Sequence, residues 1–150
     1  MRSALAGLIC AAVVAAAAGT GILFQPGAWY AGLIKPAGTP PNILFPIAWT
    51  LLYITMALAA WLVWRVRGLG PALWLFGIQL TLNALWSPVV FGAHRLDLGL
   101  LVIIALWLAV LATWRAFAAV RPLAGAMLLP YLAWVGFAGY LNAGLLWLNG

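Results

Sequence analysis

Side chains that could catalyse a reaction are scarce in this sequence. Its 150 residues include one carboxylate side chain (Asp97), one histidine (His94) and one cysteine (Cys10). A catalytic pair of carboxylates therefore cannot form, and one His with one Cys does not make a structural zinc site. No glycine-rich loop ending in Lys-Ser or Lys-Thr is present to hold phosphates. The composition disfavours conventional hydrolysis and metal chemistry, and we predict neither metal ligands nor a required cofactor.

His94 and Asp97, three residues apart, are the one pair that could relay a proton. A solvated loop at the start of a helix explains the same pair, and we prefer that interpretation. Cys10 lies inside an apolar run and has no second cysteine to pair with, so no intramolecular disulfide can form.

Tryptophan is abundant instead, with ten in the chain. Five lie near the ends of apolar runs, where indoles favour the membrane interface: Trp29, Trp64, Trp74, Trp114 and Trp147. Trp86, Trp107 and Trp134 lie deeper. A buried indole needs an acceptor for its N–H, and a flat conjugated ligand offers both a stacking face and polar edges.

Polar and aromatic residues also recur at helical spacing within three apolar runs. Gln79, Asn83 and Trp86 fall at i, i+4 and i+7, and so share one helix face. The corresponding residues of two other runs are Trp49, Tyr53, Trp134, Ala138, Leu141 and Asn142. Polar groups in hydrocarbon normally face the bundle interior. Interhelical hydrogen bonds, at roughly 0.6 kcal/mol each, explain any one of these residues better than the whole set. The set therefore favours a ligand pocket.

The elements that carry these residues are membrane spans. The chain is 68% hydrophobic and 5% charged, with a mean hydropathy of +1.16, so it could not cover a water-facing surface. Five apolar stretches are long enough to cross a bilayer as helices, at approximately 3–24, 42–64, 71–91, 97–119 and 122–148. Residues 25–41 contain four prolines, which predicts an irregular loop. The expected fold is one all-α domain, 1–150, a bundle of five transmembrane helices.

The first run has a second interpretation. Arg2 and the Ala-rich centre resemble a cleaved signal peptide. Small residues at Gly7, Ala11, Ala15 and Gly19 are instead spaced for close helix contact, which favours a retained span and permits a dimer interface.

The net charge of +6 is explained by the membrane topology of the chain. The basic residues lie at or near the ends of apolar runs and form no phosphate-binding stripe, so no nucleic-acid partner is expected. Five spans place five arginines on one side, namely Arg2, Arg65, Arg67, Arg115 and Arg121. Lys35 and Arg95 lie on the other side. The positive-inside rule then predicts a multi-pass protein with a cytoplasmic N-terminus and the C-terminus on the opposite side.

With these features in order along the chain, the sequence resembles the TspO/MBR family, the tryptophan-rich sensory proteins, also called translocator proteins or peripheral benzodiazepine receptors. The resemblance covers the whole length. The fragments that carry it are Trp29-Tyr30, Lys35-Pro36, Pro40-Pro41, Pro46, Trp49, Leu52-Tyr53, Gln79-Leu80, Asn83, Trp86, Pro88, Phe91-Gly92, Pro130-Tyr131, Trp134 and Leu141-Asn142.

The resemblance implies a five-helix bundle, often a homodimer, with a pocket under the first loop that binds porphyrins such as protoporphyrin IX and haem. Many family members also bind synthetic benzodiazepine-site ligands, and some bind sterols. Pocket positions of the family carry over to Trp49, Asn83, Trp86, Trp134, Ala138 and Leu141. Light- and oxygen-dependent porphyrin breakdown in the family is tied to tryptophans that match Trp49 and Trp134.

Two positions depart from the family pattern. The loop usually reads Lys-Pro-x-Trp-x-Pro-Pro, whereas Gly38 replaces the tryptophan here, which removes a candidate stacking lid and predicts a more mobile loop. The sterol motif needs a basic residue after a tyrosine near the C-terminus. No Lys or Arg follows Tyr140, so sterol binding by that motif is not supported.

Three functions are compatible with these features of the sequence. The leading one is a membrane protein that binds tetrapyrroles and acts in porphyrin sensing, handling or transport. Its pocket has walls from the second, third and fifth spans and residues 25–41 as a lid. The second is an enzyme that degrades porphyrins in light through Trp49 and Trp134. The third is an interaction module without a ligand, in which the polar residues only join helices.

Overall fold

The computed structural model describes residues 1–150, which form helices joined by short links and one longer loop. Its helices are α1 (Arg2–Leu23), α2 (Ala28–Ala31), α3 (Leu44–Arg67), α4 (Pro71–Ser87), α5 (Leu96–Val120) and α6 (Pro122–Asn149), with a π-helical turn at Pro88–Gly92. Five segments are long and apolar enough to cross a membrane, when α4 and the π-helical turn are taken together. The predicted fold class, an all-α integral membrane bundle of five transmembrane helices, is confirmed.

Prolines and glycines mark the helix boundaries. Pro71 and Pro122 begin α4 and α6, where the missing N–H of proline costs nothing. Gly68 ends α3 with a positive φ of 66°, a conformation that side-chain-bearing residues avoid.

Two local features add to the predicted spans. The loop of residues 25–41 is irregular except between Pro26 and Pro36, where a stretch free of proline forms the single turn α2. The third span reaches Gly92, close to the predicted end at 91. Pro88 cannot donate a backbone hydrogen bond, and beyond it the backbone widens into the π-helical turn, whose Ala93 N–H donates to the Pro88 carbonyl at 2.9 Å.

The five long helices form a closed ring in the order α1, α3, α6, α5, α4. The most extensive contacts are between α5 and α6 and between α4 and α5. Short links predict that all sequential helices are neighbours, but α3 and α4 contact each other little. The reason is α1, which packs against both of them.

The two halves of the ring differ. The main core includes Met56, Phe117 and Leu128 and lies towards the arginine-bearing ends of the helices. Towards the other end, the last turns of α1, α4 and α6 and the first turns of α3 and α5 surround one cavity. Successive spans therefore run in alternating directions, and the loop between α1 and α3 lies at the cavity end.

Candidate functional site

A cavity of about 500 Å³ lies within the bundle under the first loop. The eight residues predicted to bind a ligand are all in its wall: Trp49, Tyr53, Asn83, Trp86, Trp134, Ala138, Leu141 and Asn142. Their spacing on three helices predicts this convergence, since each set shares one helix face.

The wall contains more helices than the sequence predicts. The sequence indicates α3, α4 and α6 alone, but Ala18 and Gly21 of α1 and Ile103 and Leu106 of α5 also line the cavity. Because the five helices form a closed ring, α1 and α5 also contribute to the cavity wall. Their lining residues are small or aliphatic, and nothing in their spacing distinguishes them from lipid-facing residues. Further aromatic lining comes from Tyr30, Phe45 and Phe91.

A chain of hydrogen bonds fixes the polar wall. The Tyr53 hydroxyl donates to Asn83 Oδ1 at 2.7 Å, and Asn83 Nδ2 donates to the Tyr131 hydroxyl at 2.8 Å. Tyr131 in turn donates to Gln79 Oε1 at 2.6 Å. Tyr131 is 1% exposed and lies behind the cavity wall. It is absent from the predicted site residues, although it is the centre of the network. Asn83 is therefore held in a fixed orientation beside the cavity.

Trp86 is fixed by a second set of bonds. Its Nε1 donates to Asn142 Oδ1 at 3.0 Å, and Asn142 Nδ2 donates to the Leu96 carbonyl at 2.9 Å. The same amide thus joins α4, α5 and α6. Gly99 permits this approach, because a Cβ there would lie 3.0 Å from Asn142 Oδ1 and 2.3 Å from Val90 Cγ2.

Trp49 and Trp134 form the aromatic side of the cavity. Their rings meet edge to face with centroids 6.5 Å apart, and Trp49 also stacks on Tyr53 at 5.6 Å. Trp134 Nε1 is the one buried side-chain nitrogen or oxygen atom without a hydrogen-bond partner. A buried indole N–H normally finds an acceptor, so the N–H of Trp134 is an unsatisfied donor within the wall.

The first loop divides into two parts. Gln25, Pro26 and Tyr30 line the cavity, and Trp29 stacks on His94 with centroids 4.3 Å apart. Burial raises the pKa of the Tyr30 hydroxyl.

The remainder of the loop lies on the end of α6 and away from the cavity. The Tyr140 hydroxyl donates to the Ala37 carbonyl at 2.7 Å, and Asn149 accepts from and donates to the backbone of Ile34 at 2.8 Å each. Gly38 has a φ of +84°, and a Cβ at this residue would have no neighbour within 4 Å. It sits in a turn whose Thr39 N–H donates to the Pro36 carbonyl, so glycine suits the backbone at this position.

The charged groups are outside the cavity. No Asp, Glu, Lys, Arg or His lines it, and no group of three or more potential metal ligands is present. Asp97 forms a bidentate ion pair with Arg95 at 2.6 and 2.8 Å, which raises the pKa of the Arg95 guanidinium. His94 packs on Trp29 and makes no bond to Asp97, so the two do not form a proton relay.

Comparison with known proteins agrees with this architecture. The TspO/MBR family model matches residues 6–148. Protein CrtK of Rhodobacter capsulatus is 46% identical over 144 residues, which cover 90% of this chain and 87% of that protein. The tryptophan-rich sensory protein of Cereibacter sphaeroides is 44% identical over 92% of this chain and 87% of its own. The human translocator protein is 39% identical over 76% and 70% respectively. The chain therefore belongs to the TspO/MBR family.

Proposed function

We propose that this membrane protein binds a tetrapyrrole, protoporphyrin IX or haem, and acts in porphyrin sensing, handling or transport. The observation that carries the proposal is an uncharged cavity of about 500 Å³ lined by Trp49, Trp86 and Trp134. Its volume falls in the range typical of small-molecule sites, roughly 300–1,000 Å³. Flat aromatic walls suit a flat conjugated ring.

The lining also indicates how such a ligand would lie. Its ring faces would contact the indoles of Trp49, Trp86 and Trp134. Carboxylates have no cation in the cavity, so they would remain at the mouth beside Gln25 and Asn42, which are exposed. No His, Cys or Met lines the cavity to ligate haem iron. Two tyrosines line it, Tyr30 and Tyr53, and the Tyr53 hydroxyl is already bonded to Asn83. Tighter binding of haem than of metal-free protoporphyrin IX would therefore point to ligation of the iron by a tyrosine oxygen.

The positions of the arginines indicate how the protein is oriented in the membrane. The cavity lies at the end of the bundle opposite to Arg2, Arg65, Arg67, Arg115 and Arg121. By the positive-inside rule this arrangement favours the N-terminus in the cytoplasm, with the cavity mouth and C-terminus on the other side. We also propose that the protein forms a homodimer, as the family resemblance implies.

The test is tryptophan fluorescence of purified protein titrated with protoporphyrin IX. Saturable quenching is expected, and Trp134→Phe should weaken affinity by about tenfold, since the smaller ring leaves less stacking surface at the cavity wall. Trp74→Phe is the matched control, because Trp74 is 70% exposed on the outer surface. Equal titration curves for the two variants would refute the pocket assignment, and no saturable quenching would favour a module without a ligand.

A second candidate function has a specific observation behind it. Trp49 and Trp134 are in edge-to-face contact at the cavity wall, which is close enough for electron exchange with each other and with a ring bound beside them. Light- and oxygen-dependent porphyrin breakdown would then use both indoles. Under illumination in air, the porphyrin Soret band should decay faster with the wild-type protein than with Trp49→Phe plus Trp134→Phe. Equal decay rates would exclude this activity.

A further inference from the structure

A second concavity lies on the outer surface of the bundle, between α1 and α3 and near the arginine-bearing ends. Its volume is about 400 Å³, and its lining is apolar. The walls are formed by Ala4, Gly7, Leu8 and Ala11 of α1 and by Leu58 and Trp61 of α3. It is separate from the central cavity, with which it shares no lining residue.

Trp61 gives this groove a rigid floor. Its Nε1 donates to the Ser3 carbonyl at 2.8 Å, which ties the indole to the start of α1. Gly7 lets the two helices approach, because a Cβ there would lie 3.3 Å from Trp61 Nε1. The Arg65 guanidinium lies 5.1 Å from the centre of the Trp61 ring. The indole is thus held at its edge and on one face, while the groove beside it stays open.

The groove ends at unpaired positive charge. Arg65 follows Trp61 by one helical turn, and Arg2 precedes Ala4 by two residues. Both arginines are exposed. The sole carboxylate side chain, Asp97, lies at the opposite end of the bundle and is bonded to Arg95. The donors of Arg65 and Arg2 therefore have no anionic partner within the chain.

The length of the groove fits within one leaflet of a bilayer. From Ala4 to Ala11, α1 rises about 10 Å at 1.5 Å per residue, roughly a third of a hydrocarbon core of about 30 Å. In a membrane the apolar groove would therefore occupy the outer part of the acyl region, with the arginines at headgroup level. Guanidinium groups form strong bidentate bonds with phosphate, and basic sites between transmembrane helices bind anionic headgroups.

We propose that this groove binds an anionic phospholipid, with one acyl chain against Trp61 and the phosphate on Arg65 and Arg2. The positive charge at the groove favours this occupant over a second copy of the chain. A two-fold axis along the membrane normal brings equivalent residues together at the same depth, so a dimer formed here would place Arg2 and Arg65 beside their own copies. An anionic lipid removes that repulsion.

The test is native mass spectrometry of the full chain in neutral detergent with added phosphatidylglycerol or phosphatidylcholine. The wild-type protein should retain one phosphatidylglycerol in preference to phosphatidylcholine. Arg65→Gln should weaken that first binding step by about tenfold, the loss typical of a hydrogen bond to a charged group. Arg67→Gln is the matched control, since Arg67 is also exposed and the cation–π contact with Trp61 is made by Arg65.

A second pair of variants tests the groove itself. Ala11→Leu fills it and should also displace the lipid, whereas Ala12→Leu, on an exposed position outside it, should not. Circular dichroism confirms that each variant is folded. Equal losses of phosphatidylglycerol affinity in Arg65→Gln and Arg67→Gln would indicate diffuse charge attraction and overturn the proposal. So would a dimer that Ala11→Leu dissociates, because the groove would then hold a second copy.

Discussion

At the scale of single residues, the site depends on buried polar groups that satisfy one another. Gln79 and Asn83 are 1% and 6% exposed, and each bonds to the Tyr131 hydroxyl. In a low-dielectric interior an unsatisfied polar group is costly, so such a network holds each member in one orientation. Tyr131 acts on the cavity through Asn83 and is a positioning residue.

Tyr131→Phe tests this network. The substitution keeps the ring but leaves Asn83 Nδ2 and Gln79 Oε1 without their partner, which should destabilise the protein by about 1–3 kcal/mol. Thermal unfolding in detergent measures the loss, and porphyrin titration should show weaker binding. Tyr140→Phe is the control, since its hydroxyl bonds to an exposed carbonyl. An unfolding temperature equal to that of the control would contradict the assignment.

At the scale of elements, glycine determines how closely two helices pack. A Cβ at Gly125 would lie 2.5 Å from Ala118 Cβ and 2.7 Å from its Cα, which is backbone that cannot move aside. Gly139 on the same helix has its nearest neighbour, Ile103 Cγ2, at 3.8 Å from the corresponding position.

Gly125→Ala should therefore separate the start of α6 from the end of α5 and cost about 1–3 kcal/mol as overpacking. Gly139→Ala should be neutral or slightly stabilising, since alanine favours helix more than glycine does. Thermal unfolding of both variants provides the measurement. Equal stability of the two would mean that α5 and α6 can shift apart without loss.

The contacts of the first loop with α6 belong to the same scale. The second part of this loop is tied to α6 by Tyr140 and Asn149, and these contacts lie outside the cavity wall. These contacts should affect the rate at which the loop opens more than they affect the contacts between the ligand and the cavity wall.

Combining Tyr140→Phe with Asn149→Ala removes the three exposed hydrogen bonds between the loop and α6, together with a bond within α6 from Asn149 Nδ2 to the Leu145 carbonyl. At about 1 kcal/mol or less each, their loss should raise the porphyrin dissociation rate by roughly tenfold, with little change in unfolding temperature. Stopped-flow displacement of bound protoporphyrin IX measures the rate. An unchanged dissociation rate would show that the ligand leaves by a route that bypasses this part of the loop.

At the scale of the whole molecule, charge and the position of the cavity together define two ends. Gly27 and Gly70 lie in links at opposite ends of the bundle, and a Cβ at either would have no neighbour within 4 Å. Cysteine fits at both without steric conflict.

In a Cys10→Ala background, a membrane-impermeant maleimide applied to intact cells should label Gly27→Cys and leave Gly70→Cys unlabelled until the cells are opened. The reason is the excess of arginine at the Gly70 end. The reverse pattern would place the cavity mouth in the cytoplasm and reject the proposed orientation.

The sequence by itself determined the five spans, their approximate ends and the residues of α3, α4 and α6 that face the cavity. Apolar length, proline, glycine and the 3.6-residue period are local properties, so Trp49, Asn83 and Trp134 could be predicted to turn towards the interior. Tertiary structure alone decided the rest. The order of helices in the ring separates α3 from α4 and brings α1 and α5 into the cavity wall. Packing also decided that Tyr131 joins Asn83 to Gln79 while Trp134 keeps a free donor. Those outcomes depend on which helices meet, and adjacency in a closed bundle is set by side-chain packing across all five spans, which no single segment of sequence contains.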